Sequence, residues 1–103
     1  MTKYLIKEVV TGTENNPNFA GVKKTCYLGK GHMTNTGRMI IEDGNVTHDW
    51  VEGSTKLLAI HYGFESERAC KVGIAAERKN VNEEAATWGH HTFELEVYPV
   101  EIL

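Results

Sequence analysis

Alternation of apolar and polar side chains marks out strands along most of this chain. Residues 4–10, Tyr-Leu-Ile-Lys-Glu-Val-Val, are rich in β-branched and aromatic types and predict a first strand. Thr11 to Asn18 is built almost wholly of turn formers and predicts a surface loop. Over 22–29, Val22, Lys24, Cys26 and Leu28 alternate with Lys23, Thr25 and Tyr27, which predicts a second strand paired with the first. An irregular stretch, Gly29 to Gly37, follows. Then Arg38-Met39-Ile40-Ile41-Glu42 and Asn45 to Trp50 flank Asp43-Gly44. Asp-Gly between strand-like runs favours a type I′ hairpin, because both central residues tolerate positive φ. The last strand, 92–98, alternates cleanly, with Phe93, Leu95 and Val97 inward and Thr92, Glu94 and Glu96 outward. Pro99 ends its pairing or marks a sheet edge.

The main helical signal begins at Ser66, a good N-cap, with Glu67 in the first turn where the helix dipole favours it. Ala69, Val72, Gly73 and Ala76 form one stripe with Cys70 and Ile74 beside it, and Glu67 and Lys71 are an i,i+4 pair. Arg78 and Lys79 place the end near Lys79-Asn80. Residues 80–91 read as a polar loop with one helical turn at 83–87. Residues 54–64 fit two descriptions. Leu58, Ile60, Tyr62 and Phe64 alternate as in a strand, while Leu57, Leu58, His61 and Tyr62 would share a helix face. Gly63 and the aromatics favour a short turn at 54–58 followed by a strand.

Together these elements predict an α+β fold over residues 1–103 as a single domain. Its mostly antiparallel sheet has four to five strands, with one main helix, about 66–79, packed on one face. A single helix leaves the other face uncovered. That face either meets water, if it carries Tyr27, Thr25, Glu94 and Glu96, or asks for a second subunit.

Composition narrows the class of partner. Eleven Lys and Arg against fourteen Asp and Glu give a net charge of -3, which argues against a dedicated nucleic-acid binder. A weak basic contact through Lys23, Lys24, Lys30 and Arg38 would need those groups on one face. No apolar run approaches the ~20 residues that span a bilayer. Lys7 and Glu8 interrupt the N-terminal apolar stretch too soon for a signal peptide, which predicts a cytoplasmic chain. Cys26 and Cys70 are then expected as reduced, small buried hydrophobes.

Tyr27-Leu28-Gly29-Lys30-Gly31, then Trp50, Ala59 and Tyr62-Gly63-Phe64-Glu65-Ser66-Glu67-Arg68-Ala69, follow one another in a recognisable order. Over roughly residues 22–76 this order resembles small phage, prophage and mobile-element proteins of Gram-positive bacteria. In these a strand ending in Tyr-Leu precedes a Trp, an Ala and an aromatic-x-Ser/Thr segment that opens a helix. The resemblance implies that element order and no activity. A long insertion between strands and a His-rich segment before the last strand depart from it.

Candidate chemistry is sparse. Gly29 to Gly37, with Lys30, His32 and Arg38, has the glycines and cations of a phosphate-holding loop, without the P-loop order. His48, His90 and His91 are candidate metal ligands, although no C-x-x-C, H-x-x-x-H or H-E-x-x-H spacing is present. A thiol nucleophile at Cys26 or Cys70 lacks any local activating group, and Glu42-Asp43 with Asp49-x-x-Glu52 surrounds a turn. Trp50 and Trp88 stand beside polar residues as core lids or interface anchors. The sequence therefore predicts a non-catalytic domain without a cofactor, acting through a protein partner or as a homodimer. The alternatives are binding of a small ligand, phosphate or metal through the Gly29–Arg38 loop and nearby histidines.

Overall fold

The computed structural model describes residues 1–34, 37–42, 45–48 and 55–102, with side chains at those positions except 34, 38–42, 45–48 and 84–87. Strands β1 (Thr2–Gly12), β2 (Lys23–Leu28), β3 (Arg38–Glu42), β4 (Asn45–His48) and β5 (His91–Glu101) form one antiparallel sheet in the order β4-β3-β2-β1-β5. A 3-10 turn, His32–Thr34, lies between β2 and β3, and helices α1 (Thr55–Tyr62) and α2 (Glu67–Trp88) separate β4 from β5. Glu42 pairs with Asn45 between β3 and β4, and Asp43-Gly44, where the sequence predicts a type I′ turn, lies outside the described residues.

Neighbouring residues of a strand face opposite sides of the sheet, and both sides of this one carry a helix. Leu5, Tyr27 and Val100 pack with Leu58 and Ala59 of α1, flanked by Tyr62, Tyr98 and Ile102. On the reverse side, Ile6 and Leu28 pack with Phe64 and with Cys70 and Ile74 of α2, flanked by Tyr4, Cys26, Leu95 and Val97. The adjacent pairs Leu5/Ile6 and Tyr27/Leu28 thus feed two cores.

The expectation of one main helix is corrected in two places. Over Thr55–Tyr62 the chain is helical where a turn at 54–58 and then a strand were favoured: Leu58 and Ala59 are buried, and Tyr62 completes an i, i+1, i+4 stripe. Leu57 and Ile60 remain 43% and 44% exposed, so the alternating apolar pattern was not a buried face. Gly63 closes this helix, its N–H donating to the Ala59 carbonyl at 2.8 Å; a Cβ there would stand 2.4 Å from that oxygen. Only Phe64 keeps strand character, exchanging backbone hydrogen bonds with Tyr4 at 2.8 and 3.0 Å.

The second correction concerns α2, which starts as expected and runs well past Asn80. The Ala69 amide donates to the Ser66 hydroxyl at 3.1 Å, and Lys71 Nζ lies 3.9 Å from Glu67 Oε1. The buried stripe is Cys70, Ile74, Glu77 and Val81, while Val72 is 68% exposed. Spacings of four, three and four carry the stripe beyond Asn80, and the stop comes at Gly89, whose φ of 64° suits the left-handed C-terminal cap. Pro99 does not end the last strand. Pairing with β1 continues through Glu101, and Pro99 sits within an edge strand. Among the described residues no helix is long and apolar enough to cross a membrane.

Candidate functional site

The glycine-rich segment after β2 folds against the end of α1. Gly29 N–H donates to the Gly37 carbonyl at 2.7 Å, Lys30 N–H to the Tyr62 carbonyl at 2.6 Å, and His32 N–H to the Gly29 carbonyl at 3.2 Å. A Cβ at Gly29 would stand 2.5 Å from the Tyr62 oxygen, and one at Gly37, where φ is 66°, 2.5 Å from the Lys30 oxygen. Glycine here permits backbone to approach backbone, and these three amides are engaged within the chain. Lys30 turns outward, its Nζ 3.4 Å from Glu65 Oε1, an oxygen that Lys3 Nζ reaches at 2.6 Å. Arg38 is described by its backbone alone, opposite Leu28.

His32 turns the other way, into the interior, so the structure does not bring it together with Lys30. It is 4% exposed and stacked under α2 beside Glu77, which is 2% exposed. Its Nδ1 lies 3.0 Å from the Gly29 carbonyl oxygen. A carbonyl only accepts, so Nδ1 carries the proton there and Nε2 is left facing Glu77. Nε2 and Glu77 Oε2 are 2.9 Å apart, at ion-pair distance but bent away from hydrogen-bond geometry. This contact joins the segment after β2 to the middle of α2. The sequence signal for it was a carboxylate at a core position of the Cys70–Ile74–Glu77–Val81 stripe, which demands a buried partner.

The remaining candidates sit apart from one another. Buried Asn16 clasps the start of β5: its Nδ2 donates to the His90 carbonyl at 3.1 Å and lies 3.2 Å from His91 Nε2. Thr13 Oγ1 donates to the Gly89 carbonyl at 2.6 Å. The side chain of His48 and the whole of Trp50 lie outside the described residues. Among the described residues no group of three or more His, Cys, Asp or Glu is placed to hold a metal ion. Trp88, at the end of α2, is 65% exposed, with its ring 6.2 Å from that of His90. Lys23 and Lys24, adjacent in β2, point to opposite faces, and Lys24 Nζ rests 4.7 Å over the Phe19 ring.

Pro99 predicts the end of the last strand or a sheet edge, and the feature not drawn from it is the length of backbone that the outer edge of β5 presents. This strand of 11 residues pairs with β1 along its whole length, and among the described residues no strand follows it in the sheet. Ile102 N–H donates to the Met1 carbonyl and Thr13 N–H to the His90 carbonyl, so even-numbered positions of β5 are hydrogen-bonded to β1. Bonded and non-bonded pairs alternate in an antiparallel ladder. Phe93, Leu95 and Val97 consequently aim their N–H and C=O groups outward. Pro99, which has no N–H to offer, occupies the same outward series.

Side chains give the edge two different sides. Towards α2, Leu95 and Val97 border a groove whose opposite wall is Lys71, Ile74, Ala75 and Arg78. On the reverse face stand the exposed carboxylates of Glu94 and Glu96, with Lys7 Nζ 3.7 Å from Glu96 Oε1. An open edge with outward amides, an apolar groove and an acidic rim can receive a further strand. Comparison of the chain with models of protein families, with curated proteins and with solved structures gives no match.

Proposed function

We propose that the chain is a non-catalytic α+β domain that works by protein association, accepting an extended strand from its partner along β5. The observation that carries this reading is the continuous outer edge of β5. Its register against β1 runs from Thr2↔Glu101 to Gly12↔His91 with no bulge to twist the edge away. At ~3.4 Å per residue that edge is on the order of 35 Å long, room for a strand of ordinary length. The opposite edge, β4, has 4 residues among those described.

The association surface differs from the one that fold reasoning first suggests. With α1 on one face and α2 on the other, the sheet faces do not call for a second subunit, and the unpaired backbone groups become the stronger reason to expect a partner. Main-chain hydrogen bonds would supply affinity, and the side chains flanking the edge would supply selectivity.

Selection of strand-forming peptides from a displayed library, against the immobilised full chain, tests this reading. Peptides enriched on the wild type should lose binding to Leu95→Pro, which removes one outward donor and leaves the β1 ladder intact. Leu95 also packs on the α2-side core, so amide shifts at Phe93, Leu95 and Val97 in the wild type give a second readout. Enriched peptides that leave those three amides unshifted, or a library that yields none, contradict the proposal.

A further inference from the structure

The edge that would receive a strand is asymmetric in charge and polarity, and that asymmetry selects its occupant. We infer that β5 takes an extended segment of another polypeptide in which apolar residues alternate with lysine or arginine. This inference rests on strand addition at β5 as proposed above.

Each residue of an incoming strand lies beside one residue of β5 and shares its face. Positions beside Leu95 and Val97 point toward α2, where the wall of the groove is Ile74 and Ala75 between the stems of Lys71 and Arg78. Apolar side chains fit there, packing on Ala75 and on the methylenes of the two cations. Positions beside Glu94 and Glu96 point to the reverse face. Cross-strand partners of Glu94 and Glu96 within the sheet are Val9 and Lys7, so the chain itself supplies a cation to Glu96 and an aliphatic neighbour to Glu94. Lysine or arginine on the incoming strand complements both carboxylates.

The same geometry disfavours a second copy of β5 as the occupant. Two copies joined antiparallel must pair outward-facing residues with one another, that is, odd positions with odd ones. A two-fold axis at Leu95 then sets Glu94 against Glu96 of the other copy. An axis at Glu94 or Glu96 sets that residue against itself, and one at Val97 leaves the two Glu96 carboxylates diagonal to each other. Like charges directly opposite destabilise a sheet, and Pro99 contributes no donor to extend the pairing.

The test is an NMR titration of the labelled full chain with three heptapeptides, in which valine alternates with lysine, with threonine or with glutamate. The lysine peptide should shift the amides of Phe93, Leu95 and Val97 and bind about tenfold more tightly than the threonine peptide at low salt, from two complementary cross-strand pairs. The glutamate peptide should show no binding. Glu94→Lys/Glu96→Lys should reverse the order, while Glu14→Lys/Glu83→Lys, with the same change in net charge away from the edge, should retain it. Equal binding of all three peptides at those amides leaves strand addition standing and overturns charge selection, making the carboxylates a solubility device only. Loss of the preference in both double variants also overturns it, as general attraction to an acidic protein. Binding of none, with no shift at the three amides, contradicts the underlying reading as well.

Discussion

Removing the imidazole of His32 should cost stability far beyond what a side chain in an irregular segment ordinarily contributes. His32 and Glu77 are 4% and 2% exposed, so water cannot replace either partner when the other is cut away. Leaving a buried polar group without its partner costs about 1–3 kcal/mol in general. The upper end applies here, because the group left behind in either single variant stays almost wholly buried. Loss of the Nδ1 hydrogen bond to the Gly29 carbonyl is part of the same penalty, worth about 1 kcal/mol. His32→Ala should therefore destabilise the fold by roughly 3 kcal/mol, a large share of the ~5–15 kcal/mol that holds an ordinary domain together. Glu77→Ala should cost a similar amount. The double variant should cost much less than the sum, with a coupling of about 2 kcal/mol between the sites. Urea denaturation followed by circular dichroism reads all four proteins. Single variants each within about 0.5 kcal/mol of the parent, the range of ordinary surface substitutions, would refute the assignment of this contact as a structural fastener, as would strict additivity.

Three further outcomes follow from contacts elsewhere. Gly73→Ala should destabilise, by about 1–2 kcal/mol net in thermal or urea melts. Alanine gains about 1 kcal/mol of helix propensity, yet its Cβ would stand 2.7 Å from the Phe64 ring and 3.3 Å from Ile6 Cδ1, an overpacked site; a stabilised variant contradicts this. Burial, followed by the nearby Glu67 charge, pushes the Cys70 thiol up to about 11 from an ordinary 9.0. Between those values the unfolded chain binds fewer protons than the folded one, so stability should fall as pH rises from 9 toward 11, and Cys70→Ala should flatten that slope. An unchanged slope in the variant sinks the argument. Glu65 is held below its ordinary 4.5 by the hydrogen bond from Lys3, then by the Lys3 charge, then by Lys30. Lys3→Met should raise the Glu65 titration toward 4.5 by carboxyl NMR, and an unmoved titration shows that Lys3 does not hold it. The sign is that of a depressed carboxylate: the interaction is present above 4.5 and fades as pH falls through the folded value.

The strands were legible because alternation is strong wherever one face of a strand is buried, as in Phe93, Leu95 and Val97 against Thr92, Glu94 and Glu96. Even so, β1 and β5 each extend beyond the predicted limits, Thr2–Gly12 against 4–10 and His91–Glu101 against 92–98. Their long mutual pairing holds polar ends such as Thr2 and Glu101 in the ladder, where the Thr2 hydroxyl donates to Glu101 Oε2 at 2.7 Å. Helix α1 was ambiguous because a helix of 8 residues with two buried side chains shows a stripe too short to outweigh alternating aromatics. In α2, Arg78, Lys79 and Asn80 imitate a helix end, although Val81 continues the buried stripe and Gly89 supplies the cap. Glu77 is the one carboxylate in that stripe, yet nothing local in the sequence announces that its neighbour in the core is His32, far away along the chain. Pro99 offered a sheet edge as one of two readings, but which strand ends a sheet is decided by topology, so the length and register of the open edge were not legible in the strand's own residues.

Amide hydrogen exchange along β5, free and with the valine–lysine heptapeptide bound, tests the central claim most directly. In the free chain the amides of Glu94, Glu96 and Tyr98, bonded to β1, should exchange slowly, and those of Phe93, Leu95 and Val97 quickly. On binding, Phe93, Leu95 and Val97 should become protected while the even-numbered positions stay as they were. Outward amides that remain fast in a saturated complex would contradict strand addition at this edge.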